Sequence, residues 1–143
     1  MDTPQIRELY ARYLTGLYIQ RDVESIGQCV APEVVTHPLP PGIPAGLPGM
    51  KMLARVWLES FSDIHFTIET LIHEQGMAAS RTVISAVHSG GFMGIPATGR
   101  RVEVVDHVHF RVHQGRIVEM WDQLDMMTLL HQLGAVPSTA QAA

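Results

Sequence analysis

Residues Val102–Gly134 read VEVVDHVHFRVHQGRIVEMWDQLDMMTLLHQLG, two strand-like runs on either side of His113-Gln114-Gly115 followed by a short helical segment. Alternate residues of the two runs form one face: Val102, Val104, Asp106, Val108 and Phe110, then Val118, Met120, Asp122 and Leu124. That face is apolar except for two aspartates. A two-residue turn at Gln114-Gly115 would set Phe110 opposite Glu119 and Val108 opposite Trp121, mixing apolar and charged neighbours. A three-residue loop, His113 to Gly115 with a left-handed glycine, pairs Phe110 with Val118 and Val108 with Met120 and keeps the face dry. The second register is the expected one. It sets Asp106 directly opposite Asp122, Cβ atoms roughly 5 Å apart. Two carboxylates that close on a dry face do not both ionise easily, so the pair should share a proton near neutral pH and act as a poised general acid/base. The competing reading of Asp122 is a cap on the helix that follows.

The upstream chain supplies what this hairpin packs against. Thr3-Pro4 reads as an N-cap with proline at the first helical position, followed by a stripe of Ile6, Leu9, Tyr10, Tyr13, Leu14, Leu17 and Tyr18. A second short helix starts at Asp22, turns Val23, Ile26 and Val30 inward and ends at Pro32. Glu33 to His37 is a short β-branched run. It stops at PLPPGIPAGLPG (Pro38 to Gly49), whose five prolines and three glycines specify a stiff loop, suited to cover a pocket mouth or to serve as a plain connection. Met50 to Phe61 is a third amphipathic helix with Leu53, Val56, Trp57 and Phe61 on one side. From Asp63 the period becomes two, giving a strand to Ile72, a turn at Glu74-Gln75-Gly76 and a strand from Ala79 to His88. Helices first and four consecutive strands after them predict an α+β cone: a curved, mainly antiparallel sheet wrapped around N-terminal helices, with a short closing helix and a cavity open at one end. A single domain over residues 1–136 with a tail at 137–143 is expected.

Composition narrows the function classes. At 143 residues the chain can bury a core without staples. A formal charge of −4 with no basic stripe argues against nucleic acid as a partner. The single Cys29 cannot form an internal disulfide and suits a reducing compartment. The start, MDTPQIRELYARYL, lacks the pattern of a signal peptide, and no stretch approaches a membrane span, so a cytoplasmic protein with no membrane partner is expected.

His88–Arg100 (HSGGFMGIPATGR), Gly115–Asp125 (GRIVEMWDQLD) and Leu129–Gly134 (LLHQLG) share one pattern, H-x-G-x-F-x-G-x-P-x-T-G-R, G-[KR]-I-x-E-x-W-D-x-x-D and L-L-x-Q-L-G. With His37-Pro38 and Leu47-Pro48-Gly49, the chain over residues 33 to 134 resembles the SnoaL-like polyketide cyclase family of the NTF2-like (cystatin-like) superfamily. The resemblance implies an enzyme without a cofactor acting on a small hydrophobic carbonyl compound. It carries the family's acid/base aspartate onto Asp122, which would drive an intramolecular aldol closure, with Asp106 tuning it. Val108, Phe110 and Met120 would form an apolar wall for the substrate, and His37, Tyr18 and Trp57 would contribute to the lining. The cyclases place an inward histidine on the strand facing the acid/base. Here that position is Val108, and Asp106 stands where a neutral polar group is usual, a departure that points to a changed substrate.

Other constellations are weaker. His107, His109 and His113 fall on the opposite face, where H-x-H lacks a third inward ligand, so no metal is expected. With Val105, Ile117 and Trp121 they make an outer surface apolar enough to suggest a homodimer packed through the convex sheet face. His88 reads mainly as structural. A non-catalytic binding protein is one alternative. A hydrolase is another, like the epoxide hydrolases of this superfamily with their Asp-Arg-Asp arrangement; it would need Arg81 between Asp106 and Asp122.

Overall fold

The computed structural model describes residues 1–135. Helix α1 (Thr3–Leu14) begins at Asp2, whose carboxylate accepts from the Gln5 backbone while the Gln5 side chain answers the Asp2 N–H. The cap is thus Asp2 rather than Thr3, a reciprocal box that satisfies two end donors at once. The helix runs into a π-helical turn at Thr15–Ile19. A 3₁₀ turn (Val23–Gln28) follows, capped by Asp22. The expected second helix is therefore shorter than read, because Val30 and Pro32 already belong to strand β1 (Val30–His37).

Helix α2 (Gly46–Ser60) starts four residues earlier than its apolar stripe suggested and hands over to β2 (Phe61–Glu74). Strands β3 (Met77–His88), β4 (Arg101–His113) and β5 (Arg116–Leu124) complete the meander, and α3 (Met126–Gln132) closes it. The sheet is five-stranded, in the order β1-β5-β4-β3-β2. All neighbours are antiparallel except β1, which adds to β5 in parallel. The α+β cone with segregated helices is the observed architecture. Among the described residues no helix is long and apolar enough to cross a membrane.

The core lies between the concave face of the sheet and α1. Inward residues of β3 and β4 alternate without a break: Ala78, Ser80, Thr82, Ile84 and Ala86 face Phe110, Val108, Asp106, Val104 and Val102. Tyr10 of α1 stacks on Phe110 with ring centroids 4.7 Å apart, and both rings are buried. At the other end of the helical segment, the Arg21 guanidinium donates to the Leu58 and Phe61 carbonyls and fastens the π turn to the α2–β2 junction.

The opening hairpin departs from the expected register. Its turn is the two-residue Gln114-Gly115, both with positive φ (50° and 77°), which joins the strands without splaying them. Val112 pairs with Ile117, but Arg111 pairs with Glu119, so Val118 is an extra residue in a β-bulge. Beyond the bulge Phe110 faces Met120, Val108 faces Asp122 and Asp106 faces Leu124. Asp106 and Asp122 therefore share the concave face as diagonal neighbours, not as a directly opposed pair. The bulge also reverses parity at its start: Ile117, expected on the outer surface, is fully buried, and Val118 is the residue left over. The physical reason lies in β1. Ile117 donates its N–H to the Cys29 carbonyl and pairs with Val30, so the start of β5 is fixed by the parallel neighbour as well as by the turn.

Candidate acid/base site

Asp106 is 7% exposed, whereas Asp122 is exposed to solvent. The Asp106 Oδ1 atom is buried with no hydrogen-bond partner among the described residues. Burial first, then the adjacent Asp122 through hydrogen bonding and like charge, pushes the Asp106 carboxyl up to about 9. At neutral pH the proton held by the pair therefore sits on Asp106, the buried member. The sequence reading had the pair share the proton without saying which member holds it; the neutral acid is Asp106 because it is the one removed from water.

Three tyrosines complete the surroundings. Tyr10 and Tyr13 come from successive turns of α1, and Tyr18 from the π turn that follows. All three hydroxyls are held well above their ordinary titration range, chiefly by burial and then by charges that include both aspartates. They keep their protons, and so can donate, through neutral pH. Thr82 lies directly across from Asp106 on the neighbouring strand. Thr82 shares a 2.8 Å hydrogen bond with Ser80, so this buried polar pair is satisfied internally. The floor of the site is thus Asp106, Asp122, Ser80 and Thr82 on the sheet, and its roof is the tyrosine stripe of α1.

The structure brings together only part of the expected residue set. Val108 stands directly across from Asp122, where the expected register had set Met120, and Met120 and Phe110 extend the same buried wall. Phe110 is sealed beneath Tyr10 and is part of the packing. Tyr18 lies within the influence of both carboxylates. His37 does not join them. It pairs with Trp121 across the β1–β5 ladder, stacks on that indole at 5.1 Å and meets Glu119 through Nε2 at 2.9 Å, all on the face away from Asp122. Trp57 packs on Phe61 and Phe92, its indole N–H buried without a partner among the described residues. Phe61 pairs with His88, six residues along β3 from Thr82, or about 20 Å of strand. Trp57 therefore belongs to the far end of the concave face.

His88 is fully buried; its Nδ1 accepts from the Thr98 N–H at 3.1 Å and bonds the Thr98 hydroxyl, which pins the glycine-rich turn. Arg81 pairs with Glu69 on the outer face, opposite His107, and does not stand between the aspartates. The hydrolase arrangement that required it there is removed. A hollow of about 590 Å³ at Ile72, His73, Met77 and His109 contains neither aspartate. It flanks the tip of the β2–β3 hairpin and has no acid/base pair. The aspartate site is defined by burial and unpaired polar atoms instead.

Sequence reading passed over Tyr10 and Tyr13 as core residues, and over Thr82 entirely. The signal was present in the i, i+3 spacing of the tyrosines and in the inward parity of Thr82 opposite Asp106. It became legible only once α1 was known to lie over this part of β3 and β4.

Comparison with known proteins agrees with this architecture. Among curated proteins none matches the chain. The solved structure of TsrD from Streptomyces laurentii superposes with a TM-score of 0.86 at 29% identity, covering 95% of this chain and 99% of that one. IdmH from Streptomyces antibioticus, described as a candidate polyketide cyclase, gives 0.78 at 32% identity over 90% of this chain and 97% of its own. AclR from Streptomyces galilaeus, described as a candidate hydroxylase, gives 0.83 at 25% identity over 96% and 86%. The family model for SnoaL-like polyketide cyclases matches residues 8–133, nearly the whole described chain. The chain belongs to the SnoaL-like polyketide cyclase family.

Proposed function

We propose that this protein catalyses acid/base chemistry on a small hydrophobic carbonyl compound, an intramolecular aldol closure or a related enolate reaction, with Asp122 as the acid/base. The observation that carries the reading is the unequal carboxylate pair. One acid is buried and keeps its proton, while its diagonal neighbour is exposed and free to meet a substrate. A protein that only binds ligands has little use for a buried protonated acid beside an exposed carboxylate.

In the reaction, an Asp122 carboxylate oxygen removes a proton from a carbon flanked by carbonyl groups. The electron pair of that C–H bond becomes the enolate, which forms a new carbon–carbon bond to a carbonyl carbon of the same molecule. The proton on Asp122 then passes to the resulting alkoxide, and the carboxylate is regenerated. No proton or electron is gained or lost overall. Val108 and Met120 flank the base with apolar surface against which the hydrophobic body of a substrate can pack.

The test is hydrogen–deuterium exchange at the activated carbon of simple cyclic 1,3-dicarbonyl compounds, followed by NMR in wild type and Asp122→Asn. Wild type accelerates the exchange and the variant does not. Exchange at the wild-type rate in Asp122→Asn removes the assignment.

A further inference from the structure

We propose that Asp106 works as a carboxylic acid, donating a hydrogen bond together with the Tyr13 and Tyr18 hydroxyls to the enolate oxygen that forms when Asp122 takes the carbon-bound proton. This deepens the function proposed above and rests on it for the identity of the base.

The geometry has three parts. Asp106 and Asp122 are on the same face but one register step apart, so a substrate carbon beside Asp122 leaves its carbonyl oxygen over Val108 and toward Asp106. Asp106 Oδ1 is buried without a partner among the described residues, and such a group calls for a ligand or water to satisfy it. The third part is the roof. Tyr13 of α1 and Tyr18 of the π turn lie on the helix side, near enough for both carboxylates to help raise their hydroxyls.

The chemistry follows from charge. An ionised Asp106 would repel a developing enolate, whereas a neutral one presents an O–H donor to it. Burial and the neighbouring charge hold Asp106 neutral through physiological pH. Donors aimed at the oxygen where charge develops, in a site poor in water, stabilise the transition state more than the ground state. The arrangement selects substrates with an enolisable ketone and disfavours those that place a carboxylate at this position.

The test uses 2-naphthol, whose naphtholate has the planar shape and charge of an enolate and a distinct absorption spectrum. The parent protein is the full chain carrying Asp122→Asn, which matches the neutral state of the base after proton transfer. We expect this parent to bind 2-naphthol near neutral pH with an increased naphtholate fraction. Adding Asp106→Asn, which keeps a neutral donor, leaves affinity within about tenfold. Adding Asp106→Ala weakens it by about a hundredfold or more. Adding Tyr13→Phe weakens it less, by about tenfold, and keeps a second donor-deletion readout should the alanine variant fold poorly. The proposal is overturned if the parent binds no naphthol or only its neutral form. It is also overturned if Asp106→Asn loses as much as Asp106→Ala, or if neither Asp106→Ala nor Tyr13→Phe matters. Because Asp122 is already replaced, these outcomes are independent of whether Asp122 is the base, which the exchange experiment decides.

Discussion

Replacing Asp106 by Asn should change how stability depends on pH. In the native protein burial and Asp122 push the Asp106 carboxyl up to about 9, whereas the same side chain in the unfolded chain titrates near 3.9. Between these values the native state holds a proton that the unfolded state has released. Unfolding therefore releases a proton, and the free energy of unfolding falls as pH rises, by up to about 1.4 kcal/mol per pH unit for a single group. The stability associated with this proton is fully present below the unfolded value and is lost progressively up to the folded one. From pH 5 to pH 8 the loss approaches about 4 kcal/mol as an upper value. The groups facing Asp106 are Thr82 from β3, Asp122 and Leu124 from β5, and Tyr10, Tyr13 and Tyr18 from the helical layer. The tyrosines stay neutral over this range, and Asp122 sees a neutral neighbour in both proteins. Subtracting the two profiles thus isolates Asp106. Urea unfolding followed by tryptophan fluorescence at pH 5, 6, 7 and 8 gives the curves. Wild type should lose ground to Asp106→Asn at every step, and the variant should be the more stable at pH 8. A difference that does not change with pH would show that Asp106 is ionised in the native protein and would refute the reasoning.

Two further substitutions probe the frame that holds the site. Phe110→Ala removes a fully buried ring stacked at 4.7 Å on Tyr10 and should cost about 3–5 kcal/mol in urea denaturation; a loss below about 1 kcal/mol would mean that α1 is not anchored there. Gly90→Ala would put a Cβ 2.0 Å from the Glu59 carbonyl oxygen, backbone that cannot step aside, so it should destabilise by about 1–3 kcal/mol or more. The same change at Gly94, with open space around it, carries only the penalty of its positive φ and should lower the melting temperature less.

Strict alternation made much of this molecule legible. The pattern from Val102 to Phe110 assigns every inward residue of β4 correctly, including Asp106, and the change of period at β2 separates the helical layer from the sheet. Parity beyond the turn was harder. Met120, Asp122 and Leu124 were placed on the correct face, but their partners were each displaced by one register step, and Ile117 and Val118 were interchanged. A bulge costs one unpaired residue and gains the burial of Ile117 against the Cys29–Val30 segment, a contact between residues nearly ninety positions apart that no local pattern encodes. The same long-range pairing misplaced His37. A strand end beside a proline-rich loop reads equally well as rim or surface, and only the parallel ladder with β5 sets it beside Trp121 on the outer face. The tyrosines illustrate the reverse case. Their helical spacing was clear, but core packing and site lining share that spacing, and the π turn that carries Tyr18 leaves no sequence signature.

The central claim is that two carboxyl groups on one face carry unequal charge, the buried one protonated and the other free to act as base. Carbon-13 NMR of protein labelled at the aspartate side-chain carboxyls tests it most directly, with Asp106→Asn and Asp122→Asn assigning the two signals. The account predicts one carboxyl signal that stays in its protonated position through neutral pH, vanishes in Asp106→Asn and moves only as the pH approaches about 9. If every aspartate signal has completed its titration below pH 5, Asp106 is an ordinary ionised carboxylate and the account is contradicted.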